Sequence, residues 1–180
     1  MGVGLKNKTL GIVGFGGIGR EFVKISKGLF KNIICYDPFV GKEEMKNLQV
    51  EKVDFDKIAN SSDFLVILCD LNEKTRGMID STFLNKMKSS SYLINLSRGP
   101  VVNESDLIAS LKQNKISGAG LDVMTNEPIE ENNELLNLKN TILTPHSLCW
   151  TDECFDSIAT EAITSILNYF NNKKIINRVV

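Results

Sequence analysis

The glycine-rich segment near the start of the chain has the spacing of a dinucleotide-binding loop. The text TLGIVGFGGIGRE places Gly14, Gly16 and Gly19 in a G-x-G-x-x-G pattern directly after an apolar run. The first glycine permits a tight turn, the second lets the backbone approach a pyrophosphate, and the third lets a helix pack closely on its strand. Gly17 and Ile18 lie inside the loop, where the start of a helix offers N–H groups to phosphate. These five residues are predicted to bind a cofactor, and a chance glycine cluster is the alternative.

An acidic residue lies at the expected distance beyond this loop. Asp37 follows the apolar run at 33–36, about 18 residues after Gly19. A carboxylate there accepts the ribose hydroxyls of NAD and repels the additional phosphate of NADP. An aspartate before a proline is also a common turn former, so the prediction depends on the strand, loop and helix around it. Together these features predict binding of NAD.

The elements that must position these residues alternate along the chain. Strands are predicted at 10–13, 33–36, 64–68, 92–96, 119–123 and 141–143, and helices at 18–29, 81–87, 104–113 and 152–170. Runs this apolar suit strands that are buried on both faces. The alternation predicts an α/β fold, a Rossmann-type doubly wound parallel sheet with helices on both faces, in a single domain.

Two helix starts carry capping residues. Asn103 and Thr151 each precede a segment with two acidic residues in its first turn. Such side chains accept hydrogen bonds from the first N–H groups of a helix, and the acids favour its positive end. The polar segment 125–133 is predicted to be a loop rather than a linker.

Composition limits the classes of partner. A chain of 180 residues has room for one ordinary domain, and 42% hydrophobic residues exclude a disordered chain. The formal net charge of -1 gives no electrostatic footprint for nucleic acid. A small-molecule partner is therefore expected.

Cysteine spacing and hydropathy indicate the cellular compartment of the protein. The four cysteines lie at irregular spacings without a C-x-x-C pair, which indicates neither a zinc site nor a disulfide framework. No signal-peptide pattern opens the chain, and no apolar run is long enough to cross a bilayer. We expect a soluble, cytoplasmic protein without a membrane partner.

Four segments resemble a known family. They read GLKNKTLGIVGFGGIGRE, LNEKTRGMID, INLSRGPVVNESDLIASLKQNKISGAGLDVMTNEP and LTPHS. In this order they resemble the NAD-binding domain of D-isomer-specific 2-hydroxyacid dehydrogenases. That family includes phosphoglycerate, glycerate and D-lactate dehydrogenases. The resemblance covers nearly the whole chain and implies that residues 1–180 form an NAD-binding domain. It further implies hydride transfer between NAD and C2 of a small D-2-hydroxy acid or 2-oxo acid.

The resemblance implies three catalytic residues. Arg98 matches the arginine of an N-x-x-R-G turn that binds the substrate's carboxylate and carbonyl, which a planar guanidinium does bidentately. His146, in LTPHS, is the only histidine and matches the acid that protonates the alkoxide forming at C2. Glu127, before a proline, matches the glutamate that hydrogen-bonds this histidine and favours its protonated form. Arg98 and His146 are also expected to line the cofactor.

Further cofactor contacts are implied by the same resemblance. Asp122, in GAGLDV, corresponds to the acid that holds the nicotinamide carboxamide. Thr75, Leu96 and Ser97 match positions that line the cofactor. For Leu96 a buried strand-end residue is an equally good interpretation.

Two segments depart from the family's pattern. The adenine-side segment, commonly H-x-P-L-T, reads LCDLN, and the stretch after His146, commonly glycine-rich, reads SLCW. The second puts Leu148 and Trp150 near the predicted nicotinamide and substrate mouth. For Trp150, packing in the core is the favoured interpretation.

The family's substrate domain is expected to be absent from this chain. In the family it is built from a segment before the glycine loop and a helix after the point where this text ends, so the chain is either a piece of a longer subunit or a natural single-domain derivative. A helix before the loop also contributes to the family's dimer, so a weakened homodimer is expected. The chain alone is expected to bind NAD and turn over substrate poorly.

Two other functions are compatible with these motifs. The family includes corepressor-like scaffolds that retain the catalytic residues, so an NAD-sensing binding module without turnover is one alternative. An adenosylhomocysteinase-like hydrolase also carries a glycine loop and is the other, although the NLSRG, LDVMTNEP and TPH set is against it.

Overall fold

The chain forms two compact units, Met1–Pro145 and His146–Val180. A computed structural model describes residues 2–175. In the first unit the strands are β1 (Thr9–Val13), β2 (Asn32–Tyr36), β3 (Glu51–Lys52), β4 (Phe64–Ile67), β5 (Tyr92–Asn95), β6 (Gly118–Leu121) and β7 (Thr141–Leu143). Its α-helices are α1 (Gly17–Ser26), α2 (Lys42–Asn47), α3 (Phe55–Ser61), α4 (Ser81–Leu84) and α5 (Glu104–Lys112), with 3₁₀ helices at Gly99–Val101 and Glu134–Asn137. The second unit holds α6 (Asp152–Phe170).

The seven strands form one parallel sheet in the order β3-β2-β1-β4-β5-β6-β7. At its end β1 pairs with both neighbours, Val13 with Tyr36 of β2 and with Ile67 of β4. Because the strands are parallel, all their carboxyl ends meet at one edge of the sheet. The order reverses direction between β1 and β4, and a ligand crevice opens at this kind of point in a doubly wound sheet. The predicted Rossmann-type fold is confirmed.

Successive residues of the central strands feed two separate cores. Leu65 and Ile67 of β4 belong to a cluster that includes residues of α3, α4 and α5. Val66, between them, belongs to a second cluster with residues of α1 and α2. Side chains alternate across a strand, so the continuous apolar runs reflect a sheet covered by helices on both faces.

All six predicted strands are present, with shifts of one or two residues at some ends. The helix predicted at 152–170 matches α6, and the one at 104–113 ends one residue earlier as α5. Two other helices are shorter than predicted: α1 ends at Ser26 rather than at 29, and α4 at Leu84 rather than at 87. The early end of α1 precedes Gly28, which has a left-handed backbone (φ 83°) that a helix does not accommodate.

Three short elements between β2 and β4 are absent from the sequence prediction. Strand β3 consists of Glu51 and Lys52, so it has no apolar run to reveal it. Helix α2 has six residues and α3 has seven, too few for a clear helical period. Asp54 caps α3 by accepting from Lys57 N, which is the one local feature that marks this segment.

The predicted caps and the loop are confirmed. The side chain of Asn103 accepts from Asp106 N at the start of α5, and that of Thr151 accepts from Cys154 N at the start of α6. Residues 125–133 contain no helix or strand.

The second unit corrects one interpretation. Trp150 is 63% exposed, so its interpretation as a core aromatic is wrong. No residue of α6 is buried, because its unit contains no other helix or strand within the described residues. Among residues 2–175, no helix combines the length and the apolar character that crossing a membrane requires.

Candidate functional site

The glycines of the loop after β1 have different structural roles. Gly14 has a φ of 101°, and a Cβ on it would lie 2.6 Å from Cys69 N. A Cβ on Gly19 would lie 2.4 Å from the carbonyl oxygen of Gly14. Gly16 and Gly17, by contrast, have no atom within 4 Å of their Cβ positions. The first and third glycines are therefore required by packing, whereas the space beside Gly16 and Gly17 is open for a ligand.

Asp37 contacts this loop directly from the end of β2. Its Oδ2 accepts a hydrogen bond from Phe15 N at 2.8 Å, and its Oδ1 accepts one from Phe39 N at 2.8 Å. The second bond is the turn-forming role considered from the sequence. The first bond joins Asp37 to the middle residue of G-x-G, so the two motifs belong to one structure.

The segment after β4 forms the neighbouring wall. Leu68 N donates to Val13 O, which keeps the departing chain beside β1. Cys69 is half-buried, and burial raises the pKa of its thiol to about 11. The hydroxyl of Thr75 donates to Asp70 O at 2.6 Å and accepts from Asn72 N at 2.8 Å. In this structure Thr75 closes the 70–75 turn.

Asn95, at the end of β5, organises the turn that presents Arg98. Its Nδ2 donates to Arg98 O at 3.0 Å, and its Oδ1 accepts from both the amide and the hydroxyl of Ser97. The exposed Arg98 side chain donates from Nη1 to Ser97 O at 2.7 Å. Leu96 is half-buried and packs against the second core cluster, as a strand-end residue would.

Gly99 brings this turn against the loop that carries Glu127. A Cβ on Gly99 would lie 1.9 Å from Met124 O, so the two backbones are in direct contact. Met124 N then donates to Oε1 of Glu127 at 2.9 Å. The first unit therefore places Arg98 and Glu127 on adjoining turns at the carboxyl edge of the sheet.

Asp122 follows β6 at the same edge. It is 6% exposed and accepts a hydrogen bond from the hydroxyl of Thr144 at 2.5 Å. Thr144 N also donates to Leu121 O. These bonds hold the buried carboxylate beside the end of β7.

His146 is the first residue of the second unit. Its side chain is exposed, and its backbone has a φ of 52°. Left-handed backbone is uncommon for residues other than glycine and is enriched for histidine. Strained backbone of this kind clusters at active sites, which is consistent with the role predicted for His146.

Residues 1–147 match the family model described as "D-isomer specific 2-hydroxyacid dehydrogenase, NAD binding domain". The chain belongs to this family. The match ends close to the boundary between the two units, and it decides against the adenosylhomocysteinase-like alternative. NAD is the cofactor of this domain, and the open space beside Gly16 and Gly17 fits its pyrophosphate.

The relatives are larger proteins. The chain is 43% identical over 159 residues to a glyoxylate reductase of Thermococcus litoralis, covering 88% of this chain and 48% of the relative. It is 35% identical over 179 residues to a D-3-phosphoglycerate dehydrogenase of Archaeoglobus fulgidus, covering 99% of this chain and 34% of the relative. The crystal structure of a glyoxylate reductase from Paecilomyes thermophila aligns with a TM-score of 0.91 at 31% identity, covering 99% of this chain and 54% of that one. The chain thus spans between a third and about half of these three proteins, which are named as dehydrogenases or reductases and give the binding-module alternative no support.

Sequence reasoning missed several residues that build this site. Asn95 is part of the N-x-x-R-G motif, yet its bonds to Ser97 and Arg98 were not anticipated. Arg20, which bonds to the glycine loop, and Glu44, which pairs with Arg20, were also missed. The position of Arg20 directly after Gly19 is the feature that could have drawn attention to it.

Proposed function

We propose that residues 1–180 serve as the cofactor-binding domain of an NAD-dependent dehydrogenase that acts on small D-2-hydroxy acids and the corresponding 2-oxo acids. The contact between Gly99 and Met124 carries this proposal, because it brings the Arg98 and Glu127 turns together at the strand edge that holds the glycine loop. Membership of the dehydrogenase family supports it.

The proposed roles follow from side-chain chemistry. Arg98 binds the carboxylate of the substrate and polarises its carbonyl, since a guanidinium donates two parallel hydrogen bonds. His146 protonates the oxygen at C2 in reduction and accepts that proton in oxidation. Glu127 orients His146 and favours its charged form. Bound NAD supplies the hydride donor or acceptor.

The remaining predicted contacts hold the cofactor. Gly16, Gly17 and Ile18 take the pyrophosphate at the start of α1, and Asp37 takes the adenosine ribose. Asp122 holds the carboxamide. Thr75, Leu96 and Ser97 line the cofactor through the turns and the strand end on which they lie.

The partners and location complete the proposal. The substrate is a small acid, and neither nucleic acid nor a membrane is a partner. The protein acts in the cytoplasm, and the chain associates weakly with a second copy of itself. The direct test of the activity is consumption of NADH with glyoxylate, hydroxypyruvate, pyruvate and phosphohydroxypyruvate, measured on a version that includes the substrate domain.

A matched pair of variants sharpens this test. Arg98→Lys keeps the charge and loses the planar fork, so kcat/KM should fall by about a hundredfold, the equivalent of one charge-assisted hydrogen bond of roughly 3 kcal/mol. Arg76→Lys changes another exposed arginine of the same unit and should have no effect. In a version of the protein that also contains the substrate domain, NADH binding without turnover of any of the four acids would contradict the proposed activity.

A further inference from the structure

The middle residue of the G-x-G segment is held at both of its backbone polar groups. Phe15 N donates to Oδ2 of Asp37 at 2.8 Å, and Phe15 O accepts from Nε of Arg20 at 3.0 Å. The Phe15 side chain is fully buried, and the Arg20 guanidinium lies 5.6 Å from the centre of its ring. The conformation of this residue is therefore set by the protein itself.

Arg20 is in turn held by a residue of the next helix. Its Nη1 lies 2.5 Å from Oε1 of Glu44 on α2, and its backbone N–H donates to Gly16 O at 3.1 Å. The Arg20 and Glu44 side chains are 40% and 47% exposed, and an ion pair this exposed contributes little to stability. The stability that this ion pair adds to the fold is therefore too small to explain why Arg20 and Glu44 are paired.

The orientation of the Phe15–Gly16 peptide explains what the Arg20–Glu44 pair does. In a trans peptide the C=O and the following N–H point in opposite directions. Since Arg20 holds Phe15 O, the N–H of Gly16 is turned away from Arg20. Gly16 is also one of the two loop glycines beside which the space is open.

We propose that Arg20 and Glu44 are positioning residues of the cofactor loop. Glu44 fixes the Arg20 guanidinium, and Arg20 fixes the Phe15–Gly16 peptide so that the Gly16 N–H is presented to the cofactor pyrophosphate before the cofactor arrives. The opposite arrangement, in which Arg20 is itself a phosphate ligand that Glu44 restrains, predicts an opposite effect of removing Glu44. This inference rests on NAD binding by the loop and does not depend on the dehydrogenase activity.

The test compares NADH affinity in Glu44→Gln, Arg20→Lys and Arg20→Gln by fluorescence titration, with urea unfolding measured in parallel. Positioning predicts that Glu44→Gln weakens NADH binding about threefold and that both Arg20 variants weaken it about tenfold, because a lysine cannot reproduce the Nε bond. Glu21→Gln is the control, since Glu21 forms a more exposed ion pair with Lys24 on α1 and should leave NADH affinity unchanged.

A second measurement needs no cofactor. Hydrogen exchange of the loop amides at 14–20 should be faster in Glu44→Gln and Arg20→Lys than in Glu21→Gln, because the peptide is less restrained. Tighter or unchanged NADH binding in Glu44→Gln would overturn the proposal, as would equal exchange in all three variants. Failure of the dehydrogenase assay, with these affinity differences present, would count against the activity alone.

Discussion

At the scale of single residues, several side chains are already hydrogen-bonded to other groups of the protein. Asp37 accepts from two amides, Thr75 closes its turn, and Ser97 bonds to Asn95. A cofactor that contacts these residues therefore meets groups whose orientation is set in advance. Such pre-organisation lowers the cost of ordering side chains on binding.

The first prediction at this scale concerns cofactor choice. Asp37→Asn removes the negative charge that repels the 2′-phosphate of NADP, so the preference for NADH over NADPH should fall by about tenfold. Titrations of both cofactors measure it. Glu43→Gln, an exposed acid of α2, is the control. An unchanged preference would leave Asp37 with only its structural bonds to Phe15 and Phe39.

A second residue-scale prediction concerns thiol reactivity. Burial raises the pKa of Cys69 to about 11, so this thiol is almost entirely neutral at pH 7.5. Because the thiolate is the reactive form, alkylation of Cys69 should be slow and should accelerate as the pH rises towards 11. Peptide mapping after timed iodoacetamide treatment gives the rates, with the exposed Cys149 as the fast reference. Rapid labelling of Cys69 at pH 7.5 would be inconsistent with this.

At the scale of elements, some glycines of the loop are required for folding and others for cofactor binding. Gly14 and Gly19 are confined by neighbouring backbone, whereas Gly16 faces open space at the start of α1. The same residue type therefore has a packing role at two positions and a ligand role at the third.

This separation predicts different outcomes for two alanine variants. Gly14→Ala should destabilise the protein by several kcal/mol, because its φ of 101° and the 2.6 Å approach to Cys69 N exclude a side chain. Gly16→Ala should unfold at nearly the wild-type urea concentration and bind NADH at least tenfold more weakly, because the methyl group occupies the cofactor's space. Comparable losses of stability in the two variants would argue against this division.

Helix α6 supports a prediction about association. Phe155, Ile158, Ala162, Ile166 and Phe170 recur at spacings of three and four residues and share one face, and no residue of the helix is buried. Acidic residues begin the helix and two lysines follow its end. Two copies in antiparallel orientation would place these opposite charges together while covering the apolar face.

Sedimentation should therefore show that two copies of the chain associate weakly, and one substitution should disrupt this association. Ile166→Glu places a charge at the centre of the apolar face and should leave a monomer. Thr164→Glu adds the same charge about half a turn away and should still associate. Loss of association in both variants, or a monomeric parent chain, would exclude this role for α6.

At the scale of the whole molecule, Asp63 connects three strands at the amino end of the sheet. Its Oδ2 accepts from Thr9 N at 2.8 Å, its backbone O accepts from Tyr92 N, and Lys88 lies 3.2 Å from Oδ1. Burial acts to raise the pKa of Asp63, but the Thr9 amide and Lys88 outweigh it and hold the pKa below its usual range. The carboxylate therefore stabilises the fold in its charged form.

The pH dependence of stability follows from the lowered pKa of Asp63. A carboxyl group whose pKa is lower in the folded state contributes stability above its unfolded value of about 3.9 and loses it as the pH falls through the folded value. Asp63→Asn should cost about 1–3 kcal/mol in urea unfolding at pH 7, and the cost should shrink steadily below pH 4. Asp56→Asn, a mostly exposed acid paired with Lys86, is the control and should change little. A cost that is the same at pH 7 and pH 3 would refute the electrostatic explanation.

Local patterns in the sequence determined the β-α-β order, the glycine loop, Asp37 and the caps at Asn103 and Thr151. Each of these depends on residues within one β-α-β segment or within a few positions of one another, so spacing and residue type are enough to predict them. The same holds for α6, which begins and ends as its period indicates. The turn motif around Arg98 was likewise recognisable from its own text.

Only the tertiary structure decided which of these local features meet. The contact of Gly99 with Met124, the bond from Arg20 to Glu44 and the approach of Gly14 to Cys69 join residues more than twenty positions apart. Such contacts depend on the order of the strands and on how closely two backbones approach, and no short stretch of sequence encodes either property. The short elements α2, β3 and α3 were missed for the same reason, because their positions depend on packing against neighbouring elements more than on their own periodicity. Helix α2 packs against β3, β3 pairs with β2, and α3 packs against β1 and β2.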